Sequence, residues 1–318
     1  MDYQIGIDQV DTRLDQFITL VFDSVSRSQA KKLISKKQVA VNGKFCKPAY
    51  KLQINDCIRV DVSDTFDSLN VLPECIEFGI IHEDTEILVV DKPTNLITHP
   101  APGVNSGTLV NGLLQRYGNQ IRTLDRNGIV HRLDKDTTGV MVVAKTVNAA
   151  LHLSKQFKAH TTSRKYIALV CGTPKHHSAT IDTQVHRSRQ NWRKMMVTTE
   201  SGRRAITHYR VLESFGRFSL VDLTLDTGRT HQIRLHLSYI GHPIVGDPVY
   251  GGGEKRALND APSPFIRQSF LSLGRQALHA RSLEFEHPLT QERVSYRSPL
   301  PTDMQSAITT LSNPSDFA

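Results

Sequence analysis

The amino-acid sequence predicts an α+β protein, a large mixed sheet with flanking helices preceded by a small α/β unit. Three observations predict it. Within the first 36 residues apolar side chains recur at helical spacing, and from there to residue 62 the spacing shortens toward two. Beyond residue 76, five short β-branched runs (87–90, 140–144, 166–170, 208–212 and 220–225) are interrupted by two helical stretches, 108–117 and 148–159. The length, 318 residues, suits two or so domains.

In order along the chain, residues 12–22 place Leu14, Phe17, Ile18 and Val21 on one helical face, which Asp11 or Thr12 can cap. Ser26 is a candidate N-cap for a second helix over 27–36, with Ala30, Leu33 and Ile34 inward. Val39 and Val41 then alternate, Asn42-Gly43 signals a tight turn, and Ile58, Val60 and Val62 alternate beyond Asn55-Asp56. Residues 63–76 lose periodicity and read as a linker, dividing the chain into domains at 1–62 and 77–318. In the larger domain 91–107 and 241–253, rich in glycine and proline, read as loops. Residues 230–240 read as a helix with Ile233, Leu237 and Ile240 on one face, and the last dozen residues as a short helix with a frayed tail.

Composition excludes several classes. Hydrophobic residues make up 39% and charged residues 22%, which rules out disorder, collagen-like repeats or coiled coil for the whole chain. No apolar run approaches the roughly 18 residues of a membrane helix. The N-terminus carries acids where a signal peptide carries positive charge, so a cytoplasmic protein is expected. Cys46, Cys57, Cys75 and Cys171 lack metal-ligand spacing and read as free thiols. His231 and His236 are wrongly spaced for a zinc pair, His176-His177 reads as a turn, and Gly251-Gly252-Gly253 lacks the pattern of a phosphate loop.

The net charge of +8 favours an anionic partner, nucleic acid first. It is concentrated. Residues 27–51 hold eight basic residues, including Lys31, Lys32, Lys36 and Lys37, and no acid. Two helices, a hairpin and this basic stripe resemble the S4 RNA-binding domain over residues 11–62, so the four lysines are candidate RNA contacts. A second basic segment, 186–210, sets Trp192 among arginines, a combination suited to following phosphates and stacking a base.

The segment GIVHRLDKDTTGVMVVAKT (128–146) packs His131, Arg132, Asp134, Lys135 and Asp136 ahead of an apolar strand. Charges entering a buried strand are costly unless paired or used, although Asp134 or Asp136 could also serve a turn. HRLDKDTTG with VAKT, SRKYIALVCG (163–172), DTGRTHQIRLHLSYIGHPIVGDPVYG (226–251) and RQALHARSLEFEHP (275–288) together resemble the RluA-type pseudouridine synthases over nearly the whole chain. ITHPAPGVNSGTLVNGLL (97–114) and GDPVYGG are most similar to the subfamily acting on helix 69 of large-subunit (23S) ribosomal RNA.

The resemblance implies a pseudouridine synthase fold with a mainly antiparallel mixed sheet, and a uridine isomerase that needs no cofactor and no metal. It assigns Asp134 as the essential carboxylate, acting on ribose C1′ or taking a proton from C2′. Arg234 is implied as its buried cationic partner, with Arg229 the second choice. Tyr166 is placed against the target uracil, and Arg132 fills the gap left by an extruded base. His131 and Arg229 join Arg132 as candidate substrate contacts. Ribosomal RNA, free or in a large subunit, is the implied partner, and a monomer is the default. Three other readings compete: a synthase of the same family acting on other 23S ribosomal RNA or transfer RNA uridines, a non-catalytic RNA-binding ribosome-assembly factor, and a glycosidase, which would want two carboxylates and a water. The joint presence of Asp134, Tyr166 and Arg234 favours the isomerase.

Overall fold

The computed structural model describes residues 2–312 apart from 7–8, 22–26, 61–70, 101–103, 189–190, 192–193, 253–255, 257–258 and 262. The helix cap expected at Ser26, Trp192, the frayed tail and most of the expected linker therefore fall outside the described residues. The chain divides into two compact units, Met1–Val71 and Leu72–Ala318.

In the first unit, helices α1 (Leu14–Val21) and α2 (Arg27–Ser35) accompany the short strands β1 (Asp2–Gln4), β2 (Val39–Val41) and β3 (Cys57–Val60). The strands form an antiparallel sheet in the order β1-β3-β2. Leu14, Phe17, Ile18, Ala30, Ile34, Val39, Val41, Ile58 and Val60 meet in one core, as their spacing predicts. Asn42 and Gly43 both take positive φ, and Val41 and Lys44 exchange backbone hydrogen bonds across them, which closes the predicted tight turn. β1 has no counterpart among the expected elements, because three residues carry too little period to read.

The second unit is built on a ten-stranded sheet. Its strands are β4 (Gly79–Glu83), β5 (Ile87–Lys92), β6 (Thr138–Ala144), β7 (Ser163–Cys171), β8 (Ser178–Arg187), β9 (Met195–Thr198), β10 (Arg203–Ser214), β11 (Phe218–Leu225), β12 (Leu278–Glu286) and β13 (Arg293–Arg297). They run in the order β4-β5-β6-β12-β7-β11-β10-β8-β9, with β13 also on β12. Among the described pairings only β6 with β12 is parallel, and it is short: His279 faces Thr138 and Ala280 faces Gly139. Gly139 has φ +117°, and a Cβ there would collide with the Ala280 carbonyl, so the close approach of the two strands requires glycine.

Every residue of β6 is buried, which explains its unbroken apolar run. Helix α3 (Leu109–Tyr117) starts at a capping box made by Thr108 and Asn111. Asn111 also ties the preceding segment down, donating to the Leu72 carbonyl and to Glu74. The last residues of the expected linker thus belong to the larger unit. Helix α5 (Val147–Ala159), capped by Thr146, buries Ala149 and Leu153 against β5, β6 and β12; α4 (Asn119–Arg122) is one short turn before it. Helix α6 (Gln232–Tyr239) is buried from Gln232 to Leu237 and follows His231, which sits in the left-handed region.

Candidate active site

Asp134 lies in the loop 131–137 that precedes β6; the segment is not strand, so Arg132 and Asp134 do not share a strand face. The loop is held from beneath. Lys92 at the end of β5 is fully buried, and its ammonium donates to the carbonyls of Pro93 (2.8 Å), Leu96 (2.8 Å) and Lys135 (2.9 Å). Thr98 Oγ1 donates to the Leu133 carbonyl at 3.0 Å. Arg275 Nη1 reaches the Asp136 carbonyl at 3.2 Å while its other nitrogens grip Asp303 at 2.7 and 2.9 Å. Burial pulls the pKa of Lys92 down to about 7, against the charges of Asp136 and Asp134. Three donors on three carbonyls make Lys92 a structural pin for the loop that carries Asp134.

Arg234 stands between two carboxylates. Its Nη1 donates to Asp134 Oδ2 at 2.9 Å, and its Nε and Nη2 form a bidentate pair with Asp247 at 2.7 and 2.9 Å. Asp247 is fully buried and accepts the N–H groups of Val249 (2.8 Å) and Tyr250 (3.1 Å) as well. The Tyr250 ring lies under the guanidinium, 5.4 Å from its carbon. Burial works against the charge of Arg234, but the bonds to Asp247 and the charges of Asp134 and Asp247 outweigh it and raise its pKa. A permanent cation therefore faces Asp134, whose side chain retains 18% exposure toward the cleft.

The cleft is lined by Arg132, Asp134, Tyr166, Arg229, His231 and Arg234. Tyr166 is buried within β7, and burial pushes its phenol pKa up, so the hydroxyl stays protonated at neutral pH. Arg229 is half-buried, with Nε on the Arg204 carbonyl at 3.0 Å. His231 enters the sequence reading only as an unsuitable metal ligand, yet its Nε2 lies 3.9 Å from Asp134 Oδ2. The Tyr250 hydroxyl accepts the Met195 N–H at 2.8 Å and shares a hydrogen bond with His231 Nδ1 at 3.0 Å. Burial keeps His231 neutral, against the pull of Asp134.

The other expected site residues are placed differently. His131 does not line the cleft: its ring stacks on Phe157 (4.5 Å between centroids), and Nε2 accepts the Val142 N–H at 3.0 Å. It anchors the loop to β6 through this inward hydrogen bond. In the first unit Lys31 on α2 and Lys36 and Lys37 in the turn after it are exposed, and Lys37 lies over the exposed Phe45 ring at 5.7 Å. The Lys32 side chain and Trp192 lie outside what the structure describes. Among the described residues no group of three or more His, Cys, Asp or Glu is arranged to hold a metal, and no helix is long and apolar enough to cross a membrane.

Comparison with known proteins agrees with this geometry. Residues 86–239 match the family described as RNA pseudouridylate synthase, and residues 12–58 match the S4 domain. The chain is 41% identical over 313 residues to an uncharacterized RNA pseudouridine synthase of Bacillus subtilis, covering 98% of each chain. It is 42% identical over 291 residues to ribosomal large subunit pseudouridine synthase D of Pseudomonas aeruginosa, covering 92% of this chain and 89% of the relative. Among solved structures, human RNA pseudouridylate synthase domain containing 4 superposes with a TM-score of 0.54 at 26% identity, covering 74% of this chain and 93% of that one.

Proposed function

Because the chain belongs to the RNA pseudouridine synthase family and carries an S4 domain ahead of its catalytic unit, we propose that it isomerises uridines of large-subunit (23S) ribosomal RNA, in helix 69, with Asp134 as the essential carboxylate. One observation carries the assignment of Asp134: it is the carboxylate that opens on the cleft while held at 2.9 Å by a buried arginine.

The reaction breaks the ribose C1′–N1 bond of uridine, turns the base, and joins C5 to C1′. N1 gains a proton and C5 loses one, so oxidation states balance. A uridine extruded from its stack brings its ribose toward Asp134. There the carboxylate attacks C1′ or takes the C2′ proton; Arg234 holds it in position for either role. Tyr166, which lines the cleft, supports the uracil ring, and its hydroxyl relays the proton lost from C5. Arg132 and Arg229 supply positive charge for the backbone around the extruded nucleotide.

The test is tritium release from RNA labelled at uridine C5, with modified positions mapped along the large-subunit RNA. The wild type should release tritium and mark helix 69, and Asp134→Asn should release none. Activity persisting in Asp134→Asn would remove the carboxylate from its role; modification only outside helix 69 would refute the target assignment.

A further inference from the structure

A second cavity of the catalytic unit lies at the far end of α6. The first turn of that helix lines the catalytic cleft, whereas its last residue, Tyr239, and the following Ile240 line an opening of about 390 Å³, much larger than the roughly 60 Å³ of the cleft. A volume of this order accommodates a small molecule or a single nucleotide. Tyr209 from β10 and Ile181 from β8 form its inner wall. Tyr239 keeps 60% of its surface exposed, a large ring held open at the mouth.

Charge narrows the occupant. Lys175 and His176, from the turn before β8, share the rim with His242. The single lining carboxylate, Asp182, is already held by Arg204 at 2.6 and 3.1 Å and presents no free anion. Aromatic faces with basic groups and a neutralised acid suit a base with its phosphate. Position narrows it further. The eight residues of α6 put the cavity roughly 12 Å from the cleft, about three or four stacked nucleotides.

We propose that this cavity is a second nucleotide subsite, taking an unpaired nucleotide of the same RNA whose target uridine occupies the cleft. The inference rests on the reading of the protein as an RNA-modifying enzyme. Such a subsite would favour binding of RNAs in which an unpaired base lies the right distance from the target uridine.

The experiment pairs protein variants with RNAs carrying single abasic residues at each of five positions on either side of the target. Kd is measured by fluorescence anisotropy and turnover by tritium release. With wild type, one abasic position three or four nucleotides from the target should weaken binding about tenfold, the scale of one stacked base. Tyr239→Ala should show that loss with intact RNA, lose nothing further at that position, and keep its kcat at saturating RNA. Lys175→Glu should weaken binding to every RNA in the set. A flat abasic profile, or losses from Tyr239→Ala and the abasic site that multiply, would overturn the proposal. So would protection of Tyr239 by free uridine monophosphate with the RNA profile flat, which would make the cavity a site for a free nucleotide. Wild type that binds RNA with the expected profile but releases no tritium would count against the role of Asp134 and leave the subsite standing.

Discussion

Arg234 organises the site because it answers two carboxylates at once, and only one of them faces the cleft. Asp247 has no route to substrate; it is fully buried and holds the guanidinium in position. Asp247→Asn keeps the shape but removes the charge, and is expected to cost about 3 kcal/mol of stability, the low end for breaking a buried pair, with a fall in kcat. Urea denaturation and tritium release read the two effects separately. Lys92→Met strips the donors from three carbonyls, of which the buried one, that of Leu96, costs about 1–3 kcal/mol when left unpaired. It should lower stability by at least about 1 kcal/mol and reduce kcat more than it raises KM, because the Asp134 loop loosens. His236 supplies a pH test. It is fully buried between Thr183 and Thr207, and burial pulls its pKa down to about 4, against the opposing charge of Asp182. Between about pH 6.5 and 4 the unfolded chain binds a proton at this residue that the native state refuses, so stability is lost as pH falls through that window. The slope reaches at most about 1.4 kcal/mol per pH unit. Urea midpoints at pH 7 and pH 5 should separate, and His236→Asn should narrow the gap.

The β6 strand shows why the loop that carries Asp134 sits where it does. Gly139 lets β6 approach β12 closely, five residues after Asp134. Gly139→Ala would force a side chain against the Ala280 carbonyl at a positive φ, and should cost at least about 2 kcal/mol in urea denaturation while displacing the loop. Elements of this kind, apolar and central, are legible in sequence: β5, β6, β7, β11 and the helices α3 and α5 lie where periodicity puts them. The edges are not. β9, at the sheet edge, is only four residues long, and β8 and β13 carry exposed polar residues because one face meets water, so none offers a sustained apolar run. The basic stretch 186–210 reads as one segment but spans the end of β8, all of β9 and the start of β10. The same limit applies to the site. Asp134, Tyr166 and Arg234 are visible through motifs, whereas Lys92, Asp247 and His231 act through contacts to carbonyls, an arginine and a tyrosine that no local pattern announces. His131 stands within the motif, and its inward hydrogen bond to β6 is likewise not announced by it.

At the scale of the whole molecule the chain forms two compact units, Met1–Val71 and Leu72–Ala318. The S4 domain holds its own apolar core and an exposed basic turn, with Lys31, Lys36 and Lys37 open to solvent. Reversing these with Lys32 to glutamate should weaken RNA binding and reduce the slope of log K against log salt by roughly 0.7 for each phosphate that is no longer neutralised. Tritium release at saturating RNA should stay unchanged, and an unaltered slope would exclude this face from the RNA interface. The catalytic site is assembled from distant parts of the chain. Asp134 meets Arg234 across 100 residues, and the loop is braced by Arg275, itself locked to Asp303 in the helix Thr302–Leu311. Such pairings form only after long stretches of chain have been closed. During synthesis the S4 domain can therefore fold and engage RNA while most of its own chain is still being made, but isomerisation must wait until the residues around Asp303 have emerged. Each new molecule can find its substrate before it is able to alter it.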